Sequence, residues 1–367
     1  MAREEKAGLY IHVPFCKSRC AYCDFYSNAG LTEDAADRYA AALLRAVSAA
    51  PRAQADTLYF GGGTPALLGA ERLLRLKAAL AERFGLTEDA EITLEANPGE
   101  VREEELRRLA AGGFTRISFG AQTLRPDLLA LLGRRHGPGE VFEAVEAAAR
   151  AGFSHISADL ILGIPGQAER DVRADVKTLS GLPIDHLSAY LLKIEAGTRL
   201  AERFPEGIDG DFQADCYLAG CEAAEEAGFR QYEISNFARG AAVSRHNLKY
   251  WKLAPYLGFG PSAHSFYGGK RFYFPRDLEG FCEAENPFAL AVGDGPGGDD
   301  AERVLLGLRL CEGVDLTKTQ AGFAAGVLRR AAPLERIGLC RAEGNRLSLT
   351  RAGFLVSNAV IARLLPD

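Results

Sequence analysis

The chain has 367 residues, of which 47% are hydrophobic and 25% charged, a balance that is ordinary for a globular protein of two or three domains. Its formal net charge of −6 disfavours a broad basic surface, although it leaves room for a local basic patch, and we predict no nucleic-acid partner. No apolar run approaches the ~20 residues that span a bilayer, and the opening MAREEKAG lacks a signal-peptide core. We therefore predict a cytoplasmic protein without a transmembrane segment.

Short apolar runs alternate with amphipathic segments along the first two thirds of the chain. The predicted strands cover 8–12, 57–60, 91–95, 116–119, 156–160, 186–190 and 231–234. The predicted helices cover 32–49, 69–84, 102–111, 125–150 with a break, 168–180 and 211–227. Strands that alternate with helices predict βαβ units and a parallel sheet. About six such units predict an α/β fold with a partial (β/α)6 parallel barrel, whose chemistry lies at the carboxyl ends of the strands.

The last part of the chain has a different pattern. The segment AVGDGPGGDDAE at 291–302 is rich in Gly, Pro and Asp and is predicted to be a linker. Helical segments, a hairpin that turns at Gly344 and Asn345, and a helix over 350–365 then predict a small winged-helix-like module. The predicted domains are a core over 1–235, a connecting region over 236–290 and a C-terminal helical module over 291–367.

Three of the eight cysteines, Cys16, Cys20 and Cys23, fall on one predicted loop with the spacing C-x3-C-x2-C. In a reducing compartment, clustered cysteines indicate a metal or cofactor site rather than disulfides. Three thiolates can hold three irons of a 4Fe–4S cluster and leave the fourth iron open to a small molecule such as an amino acid. A zinc site completed by His12, or a chance group of core cysteines, is the alternative. The remaining cysteines are predicted to be small buried side chains: Cys216, Cys221, Cys282, Cys311 and Cys340.

A run of three glycines, Gly61 to Gly63, follows the second predicted strand in DTLYFGGGTPALLG. Glycine allows the backbone to approach a ligand closely, and Pro65 suits the first turn of a helix. The same segment fits a G-x-G-x-x-A dinucleotide fingerprint, with Glu82 about twenty residues further on. That interpretation is disfavoured because the segment follows the second strand rather than the first, and a cysteine cluster precedes it. A plain strand-to-helix turn is the other alternative.

Polar residues stand at the ends of several apolar strands. Glu95 and Gln122 end two of them, and Asp159 lies inside a third. Burying an unpaired carboxylate costs several kcal/mol, so Glu95 and Asp159 should face partners or a cavity. Arg134, in LGRRH, could pair with a ligand carboxylate in bidentate fashion. As a set on successive strand ends, these side chains predict a pocket.

The segment CKSRCAYC, with Tyr22 before its last cysteine, resembles the signature of the radical S-adenosylmethionine superfamily. The resemblance implies that Cys16, Cys20 and Cys23 hold a 4Fe–4S cluster, whose open iron binds the amine and carboxylate of S-adenosylmethionine. It also implies an electron donor that reduces the cluster. The backbone segment 62–64 is implied to bind the amine of S-adenosylmethionine. The cofactor contacts that it implies are Tyr10, Tyr22, Gly62, Gly63, Thr64, Glu95, Gln122, Arg134 and Asp159.

Further segments resemble the oxygen-independent coproporphyrinogen III oxidases and their relatives over nearly the whole chain. They are LYIHVPFC, YFGGGTP, EANP, RISFGAQ and DLILGIPGQ. The oxidases proper carry a further cysteine where this chain has Phe25. They also have a longer amino-terminal segment, whereas only nine residues precede Tyr10 in this chain. The stretch from Tyr232 to Trp251, with LGFGPSAHSF after it, resembles the HemW-type haem chaperones of this family. The resemblance therefore favours a haem chaperone, with an oxidase that decarboxylates coproporphyrinogen III as the alternative.

The candidate haem surface is the motif formed by His246, Asn247, Tyr250 and Trp251. A neutral imidazole is a common ligand of haem iron, and Tyr250 with the single tryptophan could cover a porphyrin face. A packed corner with a hydrogen-bonded histidine is the alternative interpretation. His264 is a weaker candidate for the iron ligand, whereas His155 and His186 are predicted to be core or surface residues.

The resemblance implies a chain that binds haem and delivers it to client haem proteins of the respiratory chain. The cluster and S-adenosylmethionine would then serve binding, assembly or transfer, and whether the chain is an enzyme stays open. We include a homodimer among its expected assemblies, and a client could bring the chain to a membrane surface. A radical enzyme that modifies RNA is a third alternative, which the acidic charge disfavours.

Overall fold

The computed structural model describes residues 5–366 as a mixed α/β fold. Its strands are β1 Ala7–Val13, β2 Phe15–Cys16, β3 Asn28–Ala29, β4 Ala55–Gly62, β5 Glu91–Ala96, β6 Arg116–Gln122, β7 His155–Leu162, β8 His186–Leu191, β9 Arg230–Glu233, β10 Asn236–Ala238, β11 Tyr256–Phe259, β12 His264–Tyr267, β13 Lys270–Tyr273, β14 Val292–Pro296, β15 Val314–Asp315, β16 Cys340–Glu343 and β17 Arg346–Leu349. Its helices are α1 Glu33–Ala49, α2 Gly69–Phe84, α3 Glu103–Ala111, α4 Pro126–Leu132, α5 Pro138–Ala151, α6 Glu169–Ser180, α7 Arg199–Arg203, α8 Gly210–Glu226, α9 Arg245–Trp251, α10 Leu278–Glu283, α11 Asp300–Gly307, α12 Ala321–Arg336, α13 Arg351–Leu355 and α14 Ser357–Leu364.

One large sheet organises the chain, and its twelve strands follow the order β14-β13-β12-β11-β1-β4-β5-β6-β7-β8-β10-β9. The strands from β11 to β8 are parallel to one another. The strands outside this group, at both ends of the sheet, pair in the antiparallel sense. Within residues 5–366 the two end strands, β14 and β9, do not pair with each other, so the sheet is open. The predicted α/β fold with a parallel sheet is confirmed.

The first six predicted strands correspond to β1 and β4 to β8. The predicted strand at 231–234 is β9, which is antiparallel to its neighbour and lies at the sheet edge, so it does not start a further βα unit. The seventh parallel strand is β11, which the sequence prediction missed. Its four residues include Gly258, and glycine is depleted in strands, so the segment carried little strand signal.

Local sequence signals set the ends of the helices. The side chain of Thr32 accepts a hydrogen bond from the backbone N–H of Ala35, at 3.2 Å, and so caps the start of α1. The predicted break within 125–150 is real: α4 ends at Gly133, whose φ is +72°, and α5 ends at Gly152, whose φ is +93°. Glycine adopts this left-handed conformation without steric cost, and therefore both helices stop there.

Alternate residues of the parallel strands face opposite sides of the sheet. Residues such as Leu58, Leu94 and Ile117 are buried in the core that also contains Leu43 of α1. Each such burial contributes roughly 1.5–3 kcal/mol to stability. The residues between them are polar and line a cavity on the other face: Tyr59, Glu95, Ser118, Asp159 and Ser188. The strand periodicity of two thus separates an apolar core from a polar concave face.

The C-terminal part contains the predicted helices and hairpin. Strands β15, β17 and β16 form a three-stranded sheet, and the hairpin turns at Gly344, whose φ is +60°. The helix predicted over 350–365 is two helices, α13 and α14, which meet at Val356. The predicted linker at 291–302 contains edge strand β14, so its first half belongs to the large sheet.

The C-terminal module attaches to the large sheet through its backbone. The N–H of Ile234 donates to the carbonyl oxygen of Arg309 at 2.9 Å, and the N–H of Cys311 donates to that of Tyr232 at 3.1 Å. These bonds place 309–311 along the outer edge of β9. The predicted connecting region at 236–290 supplies strands β10 to β13 to the same sheet.

The predicted domain boundaries stay predictions, and their extreme ends, 1–4 and 367, lie outside the described residues. None of the helices in residues 5–366 combines the length with the hydropathy that a membrane crossing requires.

Candidate functional site

A cavity of about 560 Å³ opens on the concave face at the carboxyl ends of the parallel strands. Twelve of the predicted site residues line it: Cys16, Cys20, Tyr22, Cys23, Gly62, Gly63, Thr64, Glu95, Gln122, Arg134, Asp159 and Asn247. Four others do not: Tyr10, His246, Tyr250 and Trp251. The structure therefore brings the cysteine loop and the strand-end residues together, and separates most of the candidate haem motif from them.

The three clustered cysteines are free thiols that share this cavity. Thr64 Oγ1 donates to Cys16 Sγ at 3.7 Å, and Arg134 Nη1 donates to Cys20 Sγ at 3.5 Å. Burial raises the pKa of the Cys16 and Cys23 thiols. Two of the three sulfurs thus already have hydrogen-bond donors directed at them.

The zinc alternative is not supported. Across residues 5–366, no three His, Cys, Asp or Glu side chains are arranged so that they could hold a single metal ion. His12, its proposed fourth ligand, has both ring nitrogens engaged. Nδ1 lies 3.1 Å from the hydroxyl of Tyr10, and Nε2 lies 2.9 Å from the carbonyl oxygen of Tyr26.

The other cysteines lie away from this loop and are also free thiols. Cys216, Cys221 and Cys340 are buried, as predicted, whereas Cys282 and Cys311 are only half-buried.

The glycine turn after β4 holds the cysteine loop in place. Gly63 donates its N–H to the carbonyl oxygen of Val13 at 2.8 Å, and Thr64 donates to that of Phe15 at 2.7 Å. A Cβ atom on Gly63 would lie 2.5 Å from the Phe15 carbonyl oxygen, so only glycine fits. Gly62 donates its N–H to Glu95 Oε2 at 3.2 Å. All three amides are occupied and none is left to cradle a phosphate, which removes the physical basis of the dinucleotide interpretation.

Two carboxylates face the cavity from neighbouring parts of the sheet. Glu95 accepts a hydrogen bond from the hydroxyl of Tyr59 at 2.6 Å, and Asp159 accepts one from Ser118 at 2.9 Å. Burial raises the pKa of Glu95 to about 7, and the nearby Asp159 adds to that shift. Burial also raises the pKa of Asp159. A cationic ligand would relieve this unfavourable concentration of negative charge.

Arg134 connects the cysteine loop to the strand ends. Besides Cys20, it donates to the carbonyl oxygen of Gly120 at 2.7 Å and to Asn97 Oδ1 at 2.5 Å. Asn97 in turn donates to Thr64 Oγ1 at 2.9 Å. A continuous chain of hydrogen bonds therefore runs from Cys20 through Arg134, Asn97 and Thr64 to Cys16.

Gln122 ends β6 in a strained backbone conformation. Its φ is +66°, a region that residues other than glycine seldom adopt. Such strain persists only where surrounding structure fixes it, and it is concentrated at functional sites. The side chain of Gln122 lines the cavity.

The candidate haem motif forms α9, beneath the cavity. His246 is buried: Nδ1 lies 2.8 Å from Thr57 Oγ1, and Nε2 lies 2.9 Å from the hydroxyl of Tyr250. Its ring stacks on Tyr59 with centroids 5.1 Å apart. Burial lowers the pKa of His246 to about 3, so the ring is neutral. Only Asn247 of the motif reaches the cavity lining.

Asn97, which follows Glu95 at the end of β5 and was predicted with it as a strand-end residue, also lines the cavity. Several other cavity residues were not predicted from the sequence: Tyr59, Arg116, Ser118, His186, Ser188 and Tyr190. His186, predicted as a core or surface residue, is buried at the cavity wall, where it bonds to Ser157 at 2.7 Å and to Tyr232 at 2.8 Å. Most of these residues alternate with apolar ones in their strands, as in HLSAYL. Parallel strands that are buried on both faces are usually continuous apolar runs. The alternation of polar and apolar residues was therefore the sequence signal that one face of these strands lines a polar cavity.

Comparison with known proteins places the chain in a family. Residues 10–179 match the model of the Radical SAM superfamily, and residues 301–356 match that of the HemN C-terminal domain. The chain is 39% identical to heme chaperone HemW of Mycobacterium tuberculosis over 98% of its own length and 94% of that protein. The chain belongs to the HemW family. Heme chaperone HemW of Bacillus subtilis is a further relative, 32% identical over 98% of this chain and 99% of its own length.

A solved structure supports the fold of this HemW family member. Coproporphyrinogen III oxidase (HemN) from Escherichia coli aligns with a TM-score of 0.84 and 23% identity, over 98% of this chain and 90% of that one. At that identity the likeness shows the fold, and the radical SAM and HemN architecture is thereby confirmed. Membership of the radical SAM superfamily implies a 4Fe–4S cluster and S-adenosylmethionine as cofactors.

Proposed function

We propose that this chain is a haem chaperone, which binds haem and passes it to haem proteins of the respiratory chain. The proposal is carried by the similarity to two proteins named heme chaperone HemW over 98% of the chain. Phe25 supports it, because an aromatic ring stands where the oxidases are expected to carry a further cysteine. That ring is 66% exposed at the edge of the cavity.

We infer that Cys16, Cys20 and Cys23 hold the 4Fe–4S cluster. In the described part of the chain these thiols line one cavity without converging on a single ion. A four-iron cluster suits that arrangement, because each thiolate binds a different iron. The donors on Cys16 and Cys20 would direct hydrogen bonds at ligand sulfurs, which is one way a protein sets a cluster's reduction potential.

The cavity suits S-adenosylmethionine because its charges complement that molecule. When bound at the open iron, S-adenosylmethionine would supply the radical chemistry of the superfamily. The carboxylates of Glu95 and Asp159 would attract its sulfonium and amine, and the guanidinium of Arg134 would attract its carboxylate. Tyr10 lies behind this surface: a Cβ on Gly61 would meet Tyr10 at 3.1 Å and Glu95 at 3.2 Å. The ring centroids of Tyr10 and Tyr59 lie 6.1 Å apart, and Tyr59 donates to Glu95, so Tyr10 supports Glu95 only through Tyr59.

The haem contact of the α9 motif stays a prediction. His246 could bind iron only if its ring gave up a hydrogen bond to Thr57 or Tyr250. Trp251 is half-buried, and its indole Nε1 has no partner among the described residues. The geometry favours a motif that supports the cavity floor over one that binds the iron with His246.

A haem-transfer assay tests the proposed function. Anaerobically reconstituted protein should bind haem, and the loaded protein should restore the absorption spectrum of an added respiratory apo-protein. In a parallel reaction the same protein is given coproporphyrinogen III, S-adenosylmethionine and a low-potential electron donor. Formation of protoporphyrinogen with release of carbon dioxide would replace the chaperone proposal with oxidase activity.

The raised pKa of Glu95 predicts pH-dependent binding of S-adenosylmethionine. In the ligand-free protein Glu95 keeps its proton up to about pH 7, whereas its ordinary pKa is 4.5. A cationic ligand favours the ionised carboxylate, so binding below pH 7 must release a proton. The dissociation constant should therefore fall by up to about tenfold per pH unit as the pH rises towards 7, and level off above it. Calorimetric titration in buffers of different ionisation enthalpy measures both the affinity and the released proton.

Two variants distinguish Glu95 from other carboxylates in that titration. Glu95→Gln should bind more weakly above pH 7 and should lose the proton release. Glu195→Gln, at the same cavity, removes a carboxylate that pairs with Lys193 at 2.6 Å and should retain the wild-type pH profile. A pH profile that survives Glu95→Gln would show that another group takes up the proton.

A further inference from the structure

A chain of hydrogen bonds joins the proposed cofactor cavity to a second cavity. Ser157 Oγ lies 2.7 Å from His186 Nδ1, and His186 Nε2 lies 2.8 Å from the hydroxyl of Tyr232. Ser157 and His186 line the cofactor cavity, whereas Tyr232 lines a separate cavity of about 280 Å³. The exposed residues Arg230 and Gly240 border that second cavity, so it opens to solvent. Three side chains therefore connect the concave face to water by a route that avoids the cavity mouth.

The donors and acceptors of this chain follow one direction. The backbone N–H of Ser244 donates to the hydroxyl oxygen of Tyr232 at 3.2 Å, which leaves the hydroxyl proton of Tyr232 for His186 Nε2. Burial and the neighbouring guanidinium of Arg116 lower the pKa of His186, so the ring is neutral and carries a single N–H. Because Nε2 accepts, that proton is on Nδ1 and is directed at Ser157.

The chain ends at a carboxylate of the cofactor cavity. Ser157 stands two residues before Asp159 on β7, so both side chains face the same side of the sheet. The Ser157 hydroxyl favours the ionised form of Asp159, against the larger effect of burial, which raises the pKa of that carboxyl. Since Ser157 accepts from His186, its own proton is available to Asp159.

A proton can pass along this chain while every side chain stays in place. A proton that reaches the oxygen of Tyr232 displaces the hydroxyl proton to His186 Nε2. Nδ1 of His186 then gives its proton to Ser157, and Ser157 gives its own proton to Asp159. One proton has left the second cavity and one has arrived on the carboxylate, and the ring and both hydroxyls are neutral again. Imidazole suits this task because it accepts on one nitrogen and donates from the other.

Such a route matters when a ligand fills the cofactor cavity. The charge of Asp159 raises the pKa of Glu95, so the two carboxylates titrate as a coupled pair. A cationic ligand should displace a proton from this pair, as the predicted pH dependence of binding requires. The same ligand excludes water from the cavity, so the displaced proton needs another exit.

We propose that Ser157, His186 and Tyr232 form a proton relay between Asp159 and the second cavity. The inference rests on the proposed S-adenosylmethionine site and adds the exit for the proton that its occupation releases. Tyr232 lies outside the cofactor cavity and acts through His186. Run in reverse, the same chain returns a proton to Asp159 when the ligand leaves.

Stopped-flow mixing of the full chain, carrying its reconstituted cluster, with S-adenosylmethionine at pH 6 tests the relay. An indicator dye follows the released proton, and calorimetry gives the affinity and the number of protons released. Tyr232→Phe should keep both equilibrium values. It should release the proton about tenfold or more slowly, because a lost proton-transfer group typically costs roughly 10²–10⁴-fold in rate. The matched control is Tyr217→Phe, which removes a hydroxyl that donates to the carbonyl oxygen of Ile234 at 2.8 Å, away from both cavity linings, and should keep the wild-type rate.

A second measurement tests the direction of the chain without the cofactor. Nitrogen NMR of histidine-labelled, ligand-free protein should show the proton of His186 on Nδ1, with the signal assigned by its loss in His186→Gln. A proton on Nε2, or an unchanged rate of release in Tyr232→Phe, would overturn the relay and leave the cofactor site standing. If the wild type does not bind S-adenosylmethionine, the cofactor site and the relay that serves it are both wrong.

Discussion

Replacing Cys20 with alanine is expected to leave a folded protein that cannot retain a four-iron cluster. The three clustered thiols are the proposed protein ligands, and two thiolates would leave two irons without one. The change also removes the sulfur to which Arg134 donates at 3.5 Å, so a buried guanidinium N–H loses its partner. After anaerobic reconstitution, the iron and acid-labile sulfide per chain should fall to the level of protein that was never reconstituted.

Cys282→Ala is the matched control for this prediction. Cys282 is a half-buried free thiol in α10, away from the cavity lining, and its side chain makes no hydrogen bond to the other described residues. That variant should take up as much iron and sulfide as the wild type. A full cluster in Cys20→Ala would show that the cysteine loop is not the cluster site.

Replacing Glu91 with alanine is expected to cause the largest loss of stability. Glu91 is an almost fully buried carboxylate that pairs with Arg116 at 3.1 Å. It also accepts the backbone N–H groups of Arg245 at 3.2 Å and His246 at 2.9 Å, at the start of α9. Removing one partner of a buried ion pair leaves the other charge uncompensated, which costs roughly 3–5 kcal/mol. The free energy of unfolding, measured in urea, should fall by that amount.

The control for Glu91 comes from the same region of the chain. Glu88 is exposed, and Glu88→Ala should change stability by no more than about 0.5 kcal/mol. Glu91→Gln keeps an oxygen that can accept from α9 but lacks the charge for Arg116, so it should lie between the two. A loss below about 1 kcal/mol in Glu91→Ala would mean that water or another group replaces the carboxylate.

The strand-end residues could be predicted from the sequence because the geometry of parallel strands constrains them. Glu95, Gln122 and Asp159 lie on three successive strands, and the carboxyl ends of such strands meet at one edge. A polar side chain at the carboxyl end of such a strand is therefore expected to line a cavity that the neighbouring strand ends share. The short spacing of the three cysteines also allowed their grouping to be predicted. Residues so close in sequence stay on one loop in any fold.

The environment of His246 could not be predicted in this way. Its hydrogen-bond partner Thr57 is 189 residues away in sequence. The sequence of the motif is equally compatible with a haem-binding site and with a buried histidine that is hydrogen-bonded within the protein. Strand β11 was missed for a related reason. Its partner β1 lies far away in the sequence, near the start of the chain, and that long-range pairing stabilises a short glycine-containing segment of weak strand propensity.

We expect the pairing of 309–311 with β9 to reduce self-association of the chain. A chain cut before that segment would expose the unpaired amides and carbonyls of the terminal strand, which are a template for strands from neighbouring molecules. Shortened forms would therefore aggregate through backbone pairing even with an intact cysteine loop. The C-terminal module thus covers the outer edge of β9, the last strand at that end of the large sheet.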